Sequence, residues 1–269
     1  MKIGLIHYVQ NKIEFQNTKS ILLRKFKGIL ELLYRDIASK VIVCLIFIVN
    51  SLFIMAHLGR HFAAYLGAGD DFFLIKYFHL YRVDVDAGLA EWFMYLQGVA
   101  CALLLLGVFR ATRQPVHAAW ALVFLFVVAD DAFMIHERLG AYLATAFGLP
   151  ALPGLRPDDS GELLVWAAAG AVLLGILWRG FGRSGRNARA AGGVLGLVFA
   201  TLVFFAVVFD MLHIALGQPG TRLYKLLPII EDGGEMLSMG LACAIALLLY
   251  RHPIIAGGLE PSAPPTAAR

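Results

Sequence analysis

Six long runs of apolar residues, separated by shorter polar stretches, dominate the chain. They cover roughly residues 41–58, 88–109, 116–136, 162–179, 191–215 and 228–250. A helix needs about 20 apolar residues to cross the hydrocarbon core of a bilayer, and each run is close to that length. None of the runs shows the strict alternation of a membrane barrel strand. The pattern therefore predicts an all-α polytopic bundle of about six transmembrane helices within residues 41–250.

The segments on either side of this bundle have different patterns. Residues 1–40 are rich in lysine and are interpreted as a cytoplasmic basic amphipathic segment, either an interfacial helix on the inner leaflet or a partly ordered tail. Its apolar residues that share one helical face are Leu22, Phe26, Ile29, Leu30 and Leu33. Residues 251–269, rich in proline and alanine, are predicted to be a disordered cytoplasmic tail. The aromatic stretch at 72–81 predicts a short helix at the outer interface.

Composition and charge fix the class and the orientation. With 59% hydrophobic and 16% charged residues, the chain is too apolar for a soluble domain. Sixteen lysines and arginines lie on the side of the two termini and seven on the opposite side, so we expect both termini in the cytoplasm. The basic side suits anionic lipid headgroups, and nothing in the pattern indicates a nucleic-acid partner. We expect a multi-pass protein of the bacterial inner membrane.

Acidic residues are nearly absent from the apolar runs except at one depth, close to the outer face. A carboxylate in hydrocarbon costs about 2.5 to 3.5 kcal/mol on insertion scales, so a group of them at one level indicates partners, a cation or a water-filled cavity. At a rise of about 1.5 Å per residue, the third, fifth and sixth runs all bring acidic side chains to this layer. The residues of this layer are Asp130, Asp131, His136, Glu137, Asp210, His213, Glu231, Asp232 and Glu235.

Helical spacing predicts which of these side chains share a face. Asp210 and His213 are three residues apart, and Glu231 and Glu235 are four apart, so the members of each pair are neighbours. Asp130 and Glu137 are seven apart and nearly eclipse each other. His136 points about 120° away from Asp130, so these two can meet only if the helix end unwinds.

Carboxylates and imidazoles that converge in a helix bundle are the ligand set of zinc or of a carboxylate metal centre. We predict a divalent metal site, for zinc, iron or manganese. The candidate ligands are Asp130, Glu137, Asp210, His213, Glu231 and Glu235. His136 or a carboxylate such as Asp131 is the candidate general base. Two alternatives stay open, namely solvated or mutually paired interfacial charge and a proton or ion pathway.

One stretch of the chain resembles a known group of proteins. The run Asp130-Asp131-Ala-Phe-Met-Ile-His136-Glu137, preceded by Asp84-Val-Asp86 and by Glu91-Trp-Phe, is similar to a motif of bacterial multi-pass membrane proteins to which no reaction is assigned. In that group the pair is more usually Asp-Glu than Asp-Asp. The resemblance covers residues 80–140 and, loosely, the last span. It supports the position of the acidic pair and His-Glu at the outer end of the third span, and it implies no chemistry.

The leading functional hypothesis is a metal-dependent membrane enzyme that acts on a lipid or lipid-linked substrate, with hydrolysis simpler than oxidation. A cation- or proton-coupled transporter is the competing class, and a non-catalytic membrane subunit or assembly factor is the third. A transporter should carry polar residues into the cytoplasmic half of the bundle, and the inner halves of these runs are almost purely apolar. This pattern counts against transport.

Overall fold

The computed structural model describes residues 22–86, 88–151, 156–212 and 222–257, with side chains in the last range from residue 226. All regular secondary structure in these ranges is helical. The helices are α1 (22–35), α2 (Ile37–Tyr65), α3 (Phe73–Lys76), α4 (Phe78–Tyr81), α5 (Leu89–Thr112), α6 (Pro115–Ala132), α7 (Ile135–Phe147), α8 (Pro157–Gly182), α9 (Arg186–Val203, continued by a π-helical turn over Phe204–Phe209) and α10 (Arg222–Arg251).

Six of these helices are long and apolar enough to cross a membrane, which confirms the predicted fold class. They are α2, α5, α6, α8, α9 with its π-helical continuation, and α10. Helix α2 is longer than the predicted run at 41–58. It begins where Asp36 accepts a hydrogen bond from the Ser39 N–H, and it continues past its apolar stretch to Tyr65. The aromatic stretch predicted as one short helix forms the two single turns α3 and α4.

Helix α10 lies at the centre of the bundle and is the most buried span. It packs against α2, α5 and α9, whereas α8 is peripheral and packs on α6 and α7. The core of the bundle is filled by fully buried side chains such as Leu105, Phe124, Leu195 and Leu249. Burial of this kind is worth about 1.5 to 3 kcal/mol for each large side chain, a value measured for transfer from water. In lipid, tight packing and interhelical hydrogen bonds replace that driving force.

Helix α1 uses only part of its predicted apolar face to contact the bundle. Ile29 is buried, and Leu22 and Leu33 pack against the core. Phe26 and Leu30 are exposed on the other side of the same stripe. The interfacial arrangement remains our interpretation for 22–35, and residues 1–21 lie outside the described part of the chain.

The start of α2 and the end of α10 lie at the same end of the bundle, called the terminal end below. There, Arg251 Nε donates to Asp36 Oδ2 at 2.6 Å. Hydrogen bonds from Arg251 and from Ser39 hold the pKa of Asp36 well below its usual range. Residues 252–257, part of the predicted disordered tail, instead form turns that pack on the bundle, with Ala256 fully buried. Order extends this far because the Ala256 carbonyl is hydrogen-bonded to His117 Nε2 at 2.8 Å.

The third predicted span, 116–136, is shorter than expected. Helix α6 ends at Ala132, Met134 adopts a left-handed conformation with φ of 51°, and α7 begins at Ile135. No glycine or proline marks this break in the sequence. The break is stabilised from within because the Asp130 carboxylate accepts the His136 N–H at the start of α7. The third span therefore ends just after Asp130 and Asp131, and a turn separates these residues from His136.

Candidate functional site

A cavity of about 420 Å³ opens at the end of the bundle opposite the termini, called the cavity end below. It lies between helices α5 to α10 and is bordered by the segment before α5. Eleven carboxylates contribute to its lining together with one histidine, one arginine and one tyrosine. The carboxylates are Asp84, Asp86, Glu91, Asp130, Asp131, Glu137, Glu162, Asp210, Glu231, Asp232 and Glu235, and the other three residues are His136, Arg156 and Tyr95.

Most of the predicted acidic layer thus lines one cavity. All seven of its acidic residues and His136 do so, whereas His213 lies outside the described residues. Glu162, in the second turn of α8, lines the cavity as well and was not predicted. Its signal was its place as the first residue of the fourth apolar run, much as Glu91 lies near the start of the second run. The deeper wall is apolar and includes Met94, Phe199 and Met239. The cavity therefore joins a charged mouth to an apolar interior.

Asp130 and His136 form a contact with two hydrogen bonds in the cavity. The Asp130 side chain is almost completely buried, with 1% of the residue exposed. Its Oδ1 accepts the His136 backbone N–H at 3.1 Å, and its Oδ2 lies 2.7 Å from His136 Nδ1. Because a carboxylate is an acceptor, Nδ1 carries the hydrogen and Nε2 is the ring nitrogen left for a ligand. The indole of Trp166 packs against the imidazole, with ring centroids 5.6 Å apart.

The helix break accounts for this contact. On a continuous helix Asp130 and His136 would point about 120° apart, and the left-handed Met134 turns the chain back toward the end of α6. The end of α6 is therefore unwound, as a contact between these two side chains requires.

The charge of His136 follows from its neighbours. Burial lowers its pKa, but the hydrogen bond to Asp130 and the nearby charges of Asp130, Glu137 and Glu162 outweigh burial. The net effect raises the pKa of His136 above its ordinary value. An imidazole with a raised pKa and a fixed tautomer is suited to accept a proton near neutral pH.

The basic side chains near the cavity already have carboxylate partners. The Arg156 guanidinium lies 2.7 Å from Asp159 Oδ1, where Asp159 also caps the start of α8. The Arg82 guanidinium binds both oxygens of Asp84, at 2.9 and 2.8 Å. Few positive charges of the described part of the chain therefore remain to balance the other lining carboxylates. A site of this kind favours a bound cation or protonated carboxyl groups.

The predicted metal ligands are not assembled into a finished site. Among the described residues, no three histidine, cysteine, aspartate or glutamate side chains form a group that could hold a metal ion. Both oxygens of Asp130 bind His136, which makes Asp130 a partner of the imidazole. Four other predicted ligands line the cavity, namely Glu137, Asp210, Glu231 and Glu235. Metal binding there remains a prediction that requires these carboxylates to approach one another.

A second polar contact lies within the bundle and was not predicted. Asn50 on α2 and Gln97 on α5 exchange amide hydrogen bonds of 3.3 and 2.9 Å, and Asn50 also donates to the Met236 carbonyl on α10 at 2.9 Å. Both side chains are fully buried. Each is a single amide in an otherwise apolar run, so the sequence gives no sign that they face each other. The contact ties three spans together beside the cavity wall.

An all-α multi-pass membrane protein with an acidic cavity at one end of the bundle is the class that this fold and site define. Within that class, a family described as a domain of unknown function (DUF8692) matches residues 41–250, so the chain belongs to this family. The match begins in the first turns of α2 and ends one residue before the end of α10, so it includes all six spans. No curated protein matches the chain, and no solved structure does.

Proposed function

We propose that this protein is an integral membrane hydrolase whose cavity binds a divalent cation and takes a lipid or lipid-linked substrate. The observation that carries the proposal is the excess of carboxylates around the Asp130–His136 contact, within a cavity whose deeper wall is apolar. The charged mouth suits a cation and water, and the apolar wall suits an acyl or isoprenoid chain.

In this proposal the side chains have distinct roles. Asp130 fixes the tautomer of His136, and His136 Nε2 accepts a proton from a water molecule. The hydroxide formed attacks the carbonyl or phosphoryl centre of the substrate, and the leaving alcohol receives the proton from His136. Glu137, Asp210, Glu231 and Glu235 are the carboxylates that would hold the cation, and a bound divalent cation would supply Lewis-acid polarisation of the substrate oxygen.

The proposal includes an orientation. The distribution of lysine and arginine favours cytoplasmic termini, which would direct the cavity to the outer side of a bacterial inner membrane. The substrate would then enter from the outer leaflet.

The closed inner half of the bundle favours an enzyme over a transporter. Side chains such as Leu105, Val108, Leu195 and Leu248 are almost completely buried between the cavity and the terminal end. A cation- or proton-coupled transporter would need a second opening there in another conformation. Transport remains the main alternative, and uptake of a cation into proteoliposomes would support it.

Elemental mass spectrometry of protein purified without chelator tests the cation. We expect zinc, iron or manganese in stoichiometric amount in the wild type and its loss in the variant Glu231→Gln/Glu235→Gln, because an amide is a weaker ligand than a carboxylate. The matched control is Asp70→Asn/Asp71→Asn, which removes two exposed carboxylates at the cavity end outside the cavity. Wild-type protein without bound metal would contradict the cation in this proposal.

Hydrolysis is tested separately with the variant His136→Gln. Wild-type protein and the variant are incubated with extracted membrane lipids, and the products are identified by lipid mass spectrometry. We expect new free acids, alcohols or phosphates only with the wild type, with a loss of at least about 100-fold in rate for the variant. Equal product formation by both proteins would remove His136 from the mechanism.

A further inference from the structure

A cluster of basic and aromatic side chains lies beside the cavity and takes no part in its lining. We call it the Phe78 cluster, and its members are His57, Arg60, His61, Phe78 and Arg82. The Arg60 and Arg82 guanidiniums lie over the Phe78 ring, 4.7 and 5.2 Å from its centroid. The two imidazoles meet the same ring edge-on. Four side chains therefore surround the Phe78 ring of α4. His57, Arg60 and His61 come from α2, and Arg82 directly follows α4.

Close nitrogen contacts connect the two histidines to the backbone and to Arg60. The Val83 N–H donates to His57 Nδ1 at 3.3 Å, so the His57 hydrogen is on Nε2. That nitrogen lies 3.2 Å from His61 Nε2. Arg60 Nη1, which can only donate, lies 3.4 Å from His61 Nδ1. Arg60 and the two imidazoles therefore form one continuous set of contacts beside the Phe78 ring.

The two arginines of the cluster differ in whether a carboxylate neutralises their charge. Arg82 is neutralised by its bidentate contact with Asp84. Within the part of the chain that the structure describes, no carboxylate forms an ion pair with Arg60, and its buried Nε has no hydrogen-bond acceptor. A buried N–H without an acceptor is costly, and an anionic oxygen would remove that cost. The Arg60 guanidinium is therefore the group of the cluster that is best suited to bind an anion.

The position of the cluster along α2 identifies the kind of anion. Arg60 follows the apolar run of α2 by one or two residues, which is the depth of lipid phosphate groups. Large apolar side chains around it are exposed, including Phe62 and Phe73. An arginine with a planar fork of donors at this depth matches a phosphate. These apolar neighbours favour a phosphate attached to acyl chains over free phosphate.

We propose that the Phe78 cluster binds the phosphate group of a membrane phospholipid, with Arg60 as its principal contact. Asp84 connects the cluster to the cavity because it binds Arg82 and also lines the cavity mouth. A phospholipid held at Arg60 would therefore lie next to the cavity mouth. This proposal does not depend on the cation or on hydrolysis.

Native mass spectrometry of the full chain in detergent tests the proposal, with short-chain phosphatidic acid as the probe. Diacylglycerol with the same chains, which lacks the phosphate, is the matched ligand control. We expect the wild type to bind phosphatidic acid and not diacylglycerol, and we expect Arg60→Gln to bind phosphatidic acid roughly tenfold more weakly. Arg138→Gln, an exposed arginine of α7 at the same end, should bind like the wild type.

Each other outcome contradicts the proposal. Equal binding of both lipids by the wild type would show that the phosphate is not recognised, and this arm needs no variant to fold. Equal affinity of Arg60→Gln and the wild type would place the lipid elsewhere. Displacement of phosphatidic acid by inorganic phosphate at similar concentration would identify a soluble anion as the ligand. Circular dichroism of Arg60→Gln, with Arg60→Lys as a variant that keeps the charge, separates lost binding from lost folding.

Discussion

Asp130 illustrates how one buried carboxylate shapes both the fold and the candidate site. It lies in the last turn of α6, accepts the His136 N–H at the start of α7 and fixes the imidazole of His136. A buried carboxylate with both oxygens hydrogen-bonded is tolerated in a membrane protein where a solvated cavity lies next to it. The same side chain would be costly on a continuous helix that faced lipid.

The variant Asp130→Asn tests this contact through the pH dependence of stability. Because the pKa of His136 is raised in the folded state, its protonation stabilises the fold, fully below the ordinary value of 6.5. This stabilisation is lost as the pH rises through the folded-state pKa. We therefore expect the stability difference between wild type and Asp130→Asn to be largest below pH 6.5 and to shrink at higher pH.

Thermal unfolding in detergent between acidic and mildly basic pH measures this difference. Asp70→Asn, at an exposed carboxylate of the same end, is the control and should show no such trend. A difference that is constant across the range would mean that His136 is not charged by its contact with Asp130.

The Asn50–Gln97 contact gives a prediction for a double-mutant cycle. Either single variant, Asn50→Leu or Gln97→Met, leaves a buried amide without its partner and should lower stability by about 1 to 2 kcal/mol. The double variant should cost less than the sum of the two because no orphaned side-chain amide remains. Unfolding in detergent measures all four proteins, and purely additive effects would show that the two amides do not depend on each other.

Among single residues, the sequence reveals those whose type is rare in an apolar run. Carboxylates such as Asp130 and Glu235 are conspicuous within apolar runs, so the acidic layer was predictable. Asn50 and Gln97 are less costly to bury and gave no signal, although they form a firm contact between spans. Pairing between side chains on different helices depends on helix rotation, which the sequence of a nearly all-apolar span does not determine.

Helices α7 and α8 approach each other closely at two glycines. A Cβ at Gly161 would lie 2.1 Å from the Gly140 carbonyl oxygen, and one at Gly140 would lie 2.6 Å from the Glu162 backbone nitrogen. Small residues at helix crossings allow such approach in membrane proteins. This crossing brings α7, with His136 and Glu137, next to Glu162 on α8.

We predict that Gly161→Ala destabilises the protein by about 1 to 3 kcal/mol, because the added methyl group forces the two backbones apart. Gly170→Ala, two and a half turns further along α8, is the matched control. A Cβ there meets nothing within 4 Å, so the control should be neutral or slightly more stable. Thermal unfolding compares the two, and equal stability of both variants would contradict a close α7–α8 crossing.

At the scale of elements, the apolar runs predicted all six spans but not their ends. Helix α2 continues past its apolar run because His57 accepts a hydrogen bond from the Val83 N–H and Arg60 packs over the Phe78 ring. Helix α6 stops early because the Asp130 side chain in its last turn hydrogen-bonds the next helix. Both departures arise from tertiary contacts, which hydropathy does not contain.

Charge is distributed unevenly between the two ends of the bundle. Acidic side chains lie mainly at the cavity end, and segments rich in lysine and arginine lie at the terminal end. Among the described acidic residues, only Glu31 and Asp36 lie at the terminal end. The same asymmetry predicts the orientation, since positively charged loops stay in the cytoplasm. The cavity would then meet the outer aqueous phase, where its carboxylates gain water and cations.

Cysteine labelling in intact cells tests this orientation. Asp71→Cys places a thiol in the exposed segment between α2 and α3 at the cavity end, and Arg183→Cys places one in the exposed turn between α8 and α9 at the terminal end. We expect a membrane-impermeant maleimide to label Asp71→Cys in intact cells and to label Arg183→Cys only after permeabilisation. The native protein supplies the background, because Cys101 and Cys243 are buried and Cys44 lies within α2. The reverse pattern would place the cavity on the cytoplasmic side, where a substrate of the outer leaflet could not reach it.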